Sequence, residues 1–224
     1  MPELEEILPR LYRWTADVPD WTPDQGGPEG WAKEVACVAW EGEESLVLID
    51  PLVVDGDWSA IDALAERAGA PVSLVVTCPW HARSGAEAIR RYVNSPGIEA
   101  WAHSAAMKDT ERVWFDVNHV VDQRAQVCPG VEVIATDTGN GELTAWIEEI
   151  GAIVPADVLI GAEGERTETL RVCPSAWLEA ANDVDTVKAT LTPLLERDVR
   201  AIVPLHGAPV LSGAKEALRN ALEA

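Results

Sequence analysis

The sequence has 224 residues, 47% of them hydrophobic, so it is long enough to bury a sizeable apolar core. Its 38 acidic residues outnumber its 17 basic residues and give a formal net charge of -21. Nucleic acids and anionic membranes are recognised through clustered Lys and Arg, so this balance predicts that neither is a partner.

The first half of the chain predicts hairpin strands followed by alternating strands and helices. Apolar and β-branched runs predict strands over residues 11–14, 35–40, 46–49, 72–77 and 98–102. Helical spacing of apolar residues predicts helices over 57–68 and 85–93. Pro51 cannot continue a central strand, so Asp50 is expected at the carboxyl edge of one.

The second half repeats this plan with more strands. Short apolar runs predict strands over residues 117–121, 131–136, 143–148, 152–154 and 200–203. A helix is expected to start at Asp183 and to be interrupted by Pro193, and a last helix is expected over 212–224. Two such halves can pack face to face as α-β-β-α layers, and no linker separates them. We therefore predict one α/β domain over residues 1–224, although composition alone also permits other α/β folds.

The cysteines and the apolar runs bear on the compartment. The four cysteines, Cys37, Cys78, Cys128 and Cys173, are far apart and form no CxxC pair. The first residues lack the pattern of a signal peptide, and no run of about 18 apolar residues predicts a membrane span. We therefore expect free thiols and a cytoplasmic location.

Residues 75–86 read VVTCPWHARSGA. They resemble the signature loop of the metallo-β-lactamase superfamily, which is Thr-His-x-His-x-Asp-His-x-Gly-Gly after an apolar strand. Residues 45–51, SLVLIDP, are similar to its strand ending in Asp-Pro, and residues 203–207, VPLHG, resemble its last His-Gly. Asp157 lies where the family's bridging Asp falls. The order of these segments covers nearly the whole chain and implies the αββα four-layer sandwich of a hydrolase-like protein.

The same loop departs from the family at its metal ligands. When it is aligned on its flanking Thr and Gly, four ligand positions are occupied by Cys78, Trp80, Ala82 and Arg83. The family's later His is replaced by Asp137, whereas a shift of one residue places His81 at the second His. Asp157 and His206 match the family in both registers.

One interpretation keeps the family's chemistry. The resemblance implies zinc, iron or manganese, held by several protein ligands with an open position for water. The candidate metal ligands are Asp157, His206, Cys78 and Asp137, with His81 as a further candidate. Asp157 and His206 are also the candidate catalytic residues. The expected reaction is hydrolysis of an ester, thioester or lactone.

A second interpretation, which the sequence favours, has no cofactor and a small molecule bound in the former active-site cleft. Arg83 places a permanent cation where a metal ligand is expected, and an ion pair with Asp157 would take over the metal's electrostatic role. The candidate ligand-binding residues are Arg83, Trp80 and His81. Whether the protein is an enzyme stays open, with hydrolysis as the expected reaction of an active form.

Simpler structural roles compete with these functions. His206 could bond a backbone group after its strand, and Cys78 could be an ordinary buried thiol. Asp50 is expected to hold the loop after Thr77 by hydrogen bonds rather than to react. A Ser-His-Asp triad based on Ser84 is disfavoured, because no Gly-x-Ser-x-Gly elbow precedes a helix.

Overall fold

The first sheet has seven strands whose spatial order follows the chain. The computed structural model describes residues 1–27, 30–94, 96–136, 138–162, 169–179 and 182–224. The strands are β1 (Glu5–Leu8), β2 (Leu11–Asp17), β3 (Glu34–Glu41), β4 (Leu46–Ile49), β5 (Val72–Val76), β6 (Ile98–Ala102) and β7 (His119–Val120). Pairing is antiparallel from β1 to β4 and parallel from β4 to β7. The parallel part begins at β4 because the first α-helix of the chain follows this strand, and parallel neighbours need such a crossover connection.

The second sheet has five strands, in the order β14-β11-β10-β9-β8, and a two-stranded ribbon lies outside it. Its strands are β8 (Arg124–Cys128), β9 (Val131–Thr136), β10 (Glu142–Ile147), β11 (Ala152–Val154) and β14 (Ala201–Ile202). The ribbon consists of β12 (Leu159–Gly161) and β13 (Leu170–Val172). Only β11 and β14 pair in parallel among the described strands of this sheet.

Four α-helices occur in the described residues, and none of them is long and apolar enough to cross a membrane. They are α1 (Ser59–Ala68), α2 (Gly85–Tyr92), α3 (Val184–Leu191) and α4 (Ala214–Glu223). Asp183 caps α3, since its carboxylate accepts the Thr186 N–H at 2.7 Å. As predicted, the helix does not continue through Pro193, and a 3-10 turn over Thr192–Glu196 replaces it.

Side-chain alternation along the strands creates three apolar layers. In the first sheet, Leu48 and Leu74 face α1 and α2, whereas Val47, Ile49 and Val75 face the second sheet. In the second sheet, one strand face joins this middle layer and the other packs against α3 and α4. The order is therefore helix, sheet, sheet, helix, which confirms the predicted αββα sandwich.

The strands that sequence patterns miss are marginal ones. β1 and β8 lie at sheet edges and have mostly exposed or half-buried residues, so they lack a clear apolar alternation. β12 and β13 have three residues each, which is too short for a periodic signal. The predicted strand over 117–121 is real but contracts to the two residues of β7.

Candidate functional site

The candidate site lies where loops from the two sheets meet. Asp50 follows β4 and Thr77 follows β5, and these parallel neighbours end at one edge of the first sheet. Asp157 follows β11 and His206 follows β14, which are the parallel pair of the second sheet. A backbone bond from Leu143 N to Thr77 O, 2.8 Å long, joins the sheets at this point. Residues far apart in sequence are thereby brought together.

Asp50 is fully buried and fixes the loop after β5. Its Oδ1 accepts the Thr77 N–H at 2.8 Å, and its Oδ2 accepts the Thr77 hydroxyl and lies 3.0 Å from Nδ1 of His81. Its φ of 51° is in the left-handed region, which residues with a side chain seldom adopt. The buried carboxylate accepts hydrogen bonds from Thr77 and His81 and so holds both in position, as expected for Asp50.

His81 is buried between two carboxylates. The 3-10 turn Pro79–His81 brings the ring back towards Asp50. Because a carboxylate only accepts hydrogen bonds, we assign the ring proton to Nδ1. Nε2 then presents its lone pair towards Asp157, whose Oδ1 is 3.3 Å away. A carboxylate behind an imidazole is the arrangement that orients histidine ligands in metal sites.

Asp157 is the point on which the other groups converge. Its Oδ1 lies 3.3 Å from Nε2 of His81 and 3.2 Å from Nε2 of His206. Neither contact has hydrogen-bond geometry, so this buried oxygen lacks a hydrogen-bond partner within the described residues. Burial opposes ionisation of Asp157, but positive charge on its neighbours, namely His81 and His206 when they are protonated and Arg83, outweighs burial and holds the pKa of its carboxyl well below its usual range. The site therefore presents an anionic oxygen with unused bonding capacity.

His206 is held in place by the close approach of two glycines. Gly207 has a φ of 84°, and a Cβ there would lie 2.3 Å from the Gly161 carbonyl oxygen, so only glycine fits. Trp31 and Trp177 contact the His206 ring edge-on, with centroid distances of 5.8 and 5.6 Å. The structure places His206, a candidate from the sequence, next to Asp157.

Cys78 completes a group of three donors. Atoms of Cys78, His81 and Asp157 lie within 4.8 Å of one another, and the thiol is fully buried. Burial and the negative charges of Asp157, Glu142 and Asp50 raise the pKa of the Cys78 thiol well above 9.0. Without a cation this residue is a thiol, and a metal ion would have to displace its proton.

Glu142 is a buried acid that the sequence interpretation did not single out. It begins β10 and is 3% exposed, and its Oε2 has no hydrogen-bond partner in the described chain. Burial and the charges of Asp157 and Asp50 raise the pKa of Glu142 well above 4.5, so we describe it as a neutral acid. The sequence signal that could have identified Glu142 is an acidic residue at the start of the otherwise uncharged strand β10.

Arg83 does not form the expected ion pair with Asp157. Its Nη1 donates to the carbonyl oxygens of Ala36 at 2.9 Å and Asp50 at 3.1 Å, and it lies 3.7 Å from the Cys37 sulfur. Its φ of 34° is in the left-handed region, which residues with a side chain seldom adopt. Two carbonyls at the end of strands therefore take the place of the predicted carboxylate, and Arg83 affects Asp157 through its charge alone.

Two further predicted residues, Trp80 and Asp137, have not been placed in this cluster. The Trp80 ring is 49% exposed, next to the buried His81 in the same turn. Asp137, a candidate metal ligand, lies outside the described residues. Ligand binding by Trp80 and metal binding by Asp137 stay predictions.

Comparison with known proteins identifies the fold. No protein-family model matches the sequence, and neither does any curated protein. Among solved structures, the chain is similar to FIM-1 from Pseudomonas aeruginosa in the mono-zinc form, with 13% identity and a TM-score of 0.68 over 99% of this chain and 95% of that one. It is also similar to a metallo-β-lactamase from Erythrobacter litoralis, with 14% identity and a TM-score of 0.69 over 98% and 95% of the two chains.

The chain has the metallo-β-lactamase fold. A third similar structure, the metallo-β-lactamase from Hirschia baltica, agrees, with 13% identity and a TM-score of 0.67 over 99% and 96% of the chains. At such low identity these structures define the fold alone. The assignment confirms the resemblance drawn from Asp50-Pro51, the Thr77 loop and His206-Gly207.

The residues present fit a metal ion of the kind that the fold implies. Thiolate, imidazole and carboxylate are all acceptable to zinc, and the spacing of Cys78, His81 and Asp157 is compatible with bonds of about 2.0–2.3 Å. The orphaned Oδ1 of Asp157 is the kind of buried atom that needs a proton or a cation. His206 approaches the same oxygen from the other side.

Proposed function

We propose that this protein is a metal-dependent hydrolase of the metallo-β-lactamase fold, with one divalent ion held by Cys78, His81 and Asp157. The observation that supports this most is the convergence of donors on a buried carboxylate oxygen that lacks a hydrogen bond. Three protein ligands with one open position are the pattern of catalytic zinc sites. Iron and manganese are alternatives, but the Cys78 sulfur favours zinc over manganese.

When bound, such an ion polarises a carbonyl and lowers the pKa of a water molecule. The protein's own contribution is to hold the donors. Asp50 fixes His81 with Nε2 facing Asp157, and Thr77 fixes Asp50 in turn. Such supporting contacts orient ligands and raise affinity.

His206 is the candidate for moving a proton during the reaction. It lines the cavity beside the cluster, and its Nε2 lies 3.2 Å from Asp157. A histidine between a carboxylate and a substrate cavity can take a proton from water and deliver it to a leaving group. In hydrolysis, water oxygen bonds to the acyl carbon, the bond to the leaving oxygen or sulfur breaks, and an acid and an alcohol or thiol result. Esters, thioesters and lactones all suit this description.

Metal-free binding of a small molecule is the second candidate function. It is favoured by the cations already near Asp157, because Arg83 and protonated His81 or His206 can balance its charge without a metal. The ion pair of Arg83 with Asp157 that this interpretation predicts is not observed among the described contacts. We therefore place the metal-dependent hydrolase first.

Reconstitution tests the proposal. Chelator-treated protein is assayed on an ester, a thioester and a lactone before and after adding zinc, manganese or iron. The expected result is hydrolysis that appears only with metal and is absent in Asp157→Asn. Asp198→Asn, an exposed substitution, is the matched control. If no added metal produces hydrolysis of any of the three, the hydrolase proposal fails and the binding function is favoured.

A further inference from the structure

A cavity of about 460 Å³ opens beside the donor cluster, and His206 belongs to both. Small-molecule sites commonly have volumes of about 300–1,000 Å³. Cys78, His81 and Asp157 do not line this cavity, so its walls are a separate chemical surface. They come from β2, the loop before β3, the ribbon and the segment after β14.

Two arginines line the cavity and form no ion pair with a described carboxylate. Eight of the other described arginines form ion pairs, as expected in so acidic a chain. Arg13 instead donates Nη2 to the Gly207 carbonyl at 3.1 Å, and its Nε is buried without a hydrogen-bond partner in the described chain. Arg171, on β13, also lines the cavity. A guanidinium has five N–H donors, so Arg13 has capacity for an acceptor.

Arginine outnumbers glutamate among the described residues that line the cavity. Glu34 is the acidic residue of this described lining, and its Oε2 accepts the Thr15 hydroxyl at 3.2 Å. The described lining thus carries two guanidinium groups and one carboxylate, in a protein with a net charge of -21. This balance suits a ligand with one negative charge better than a dianion such as a phosphate monoester.

The remaining walls are flat and apolar. Trp31 and Trp177 both line the cavity and both contact the His206 ring. Ile160 and Leu205 add aliphatic surface. Indole faces bind planar apolar groups well, because they offer a large rigid contact area.

We propose that this cavity binds a small monocarboxylate with a flat apolar body, its carboxylate on Arg13 and its body against Trp31 and Trp177. Arginine matches a carboxylate through paired N–H donors, whereas a neutral ligand would leave the charge of the half-buried Arg13 without a counter-ion in the cavity. That such a compound is also the substrate rests on the proposed hydrolase function. The binding itself does not.

Calorimetric titration of the chelator-treated full chain tests this inference. The probes are phenylacetate, phenylacetamide, which lacks the charge, and acetate, which lacks the ring. We expect phenylacetate to bind about tenfold more tightly than phenylacetamide, since a hydrogen bond to a charged group contributes roughly that factor. We also expect it to bind more tightly than acetate, which has no ring to contact Trp31 and Trp177. Metal is removed so that carboxylate binding to an ion cannot contribute.

Variants assign the contacts. Arg13→Met should weaken phenylacetate binding about tenfold and leave phenylacetamide unchanged. Trp31→Leu should weaken both aromatic probes, and this second variant tests the cavity if Arg13→Met does not fold. Arg124→Met, an exposed arginine on β8, should bind as the native protein does.

The outcomes separate this inference from the proposed function. Equal affinity for the acid and the amide, or no binding of phenylacetate, would overturn it. Retained binding in Arg13→Met would assign the anion elsewhere and also overturn it. In Asp157→Asn, phenylacetate binding should persist although metal and hydrolysis are lost. Failure of hydrolysis with intact binding therefore contradicts only the hydrolase proposal.

Discussion

The Nε2 atom of His81 lies 3.3 Å from Oδ1 of Asp157, and the two groups belong to loops of different sheets. The contact forms because the loop after β5, which carries His81, meets the loop after β11, which carries Asp157. With Nδ1 assigned as the donor to Asp50, both facing atoms are acceptors. Such a pair needs a shared proton or a cation between its members. The chemistry of the protein depends on which of the two is present.

Asp50→Asn should destabilise the protein and weaken metal binding. The amide nitrogen would face the Thr77 hydroxyl or the His81 Nδ1–H, so a buried donor would lose its acceptor. We expect a loss of about 3 kcal/mol in the free energy of unfolding and a loss of roughly 10- to 100-fold in metal affinity. Urea unfolding and metal titration measure the two effects. Asp198→Asn should change the free energy of unfolding by less than about 0.5 kcal/mol, and an equally small effect of Asp50→Asn would contradict the positioning role.

Cys78→Ala should remove sulfur from the metal coordination. Cobalt bound to the native protein is expected to show the near-ultraviolet charge-transfer band of a thiolate ligand, because only the thiolate binds metal. The band should be absent in Cys78→Ala and present in Cys128→Ala, since Cys128 lies on β8 away from the cluster. A native cobalt spectrum without the band would rule out Cys78 as a ligand.

Arg83→Met should act mainly on stability. The side chain joins the ends of β3 and β4 through the carbonyls of Ala36 and Asp50, and methionine leaves both without this donor. We expect a loss of about 1–3 kcal/mol in the free energy of unfolding. Phenylacetate binding by the folded variant should match that of the native protein. Lost binding with unchanged stability would instead restore Arg83 as the ligand anchor that the sequence suggested.

Glu142→Gln should flatten the pH dependence of stability. The folded state holds the Glu142 proton to a higher pH than the unfolded chain does, because burial beside Asp157 raises its pKa. The free energy of unfolding therefore falls as pH rises above 4.5, the ordinary value of the carboxyl. Glutamine resembles the neutral acid and should remove this fall in chelator-treated protein. Urea unfolding across the pH range measures this pH dependence. Glu148→Gln, at an exposed residue directly after β10, is the control. Parallel profiles for native and Glu142→Gln proteins would show that Glu142 ionises normally.

Periodicity and breakers were sufficient to predict the layers. The continuous apolar run of the strand around Leu48 and the helical spacing in the segment around Leu64 reflect burial, which is a local property of sequence. The capping of α3 by Asp183 and its end before Pro193 were predictable for the same reason. Edge strand β8 was missed because only one of its five residues, Val127, is buried.

The sequence predicted which residues belong to the candidate site better than it predicted which residues they contact. Asp157 and His206 were named from their places in the chain, and they meet as expected. The partner of Arg83 was predicted wrongly, because its left-handed backbone and the position of two strand-end carbonyls are properties of the assembled fold. Arg13 and Trp31 were not placed together, since no sequence pattern links a strand residue to a distant loop across a cavity.

Elemental analysis of protein purified without chelators decides whether the chain holds a metal ion. We expect about one equivalent of zinc, iron or manganese per chain, as a site with three protein ligands requires. Asp157→Asn and Cys78→Ala should lose this metal, whereas Cys128→Ala should keep it. Less than about a tenth of an equivalent in the native protein, with no uptake when metal is added, would contradict a metal centre.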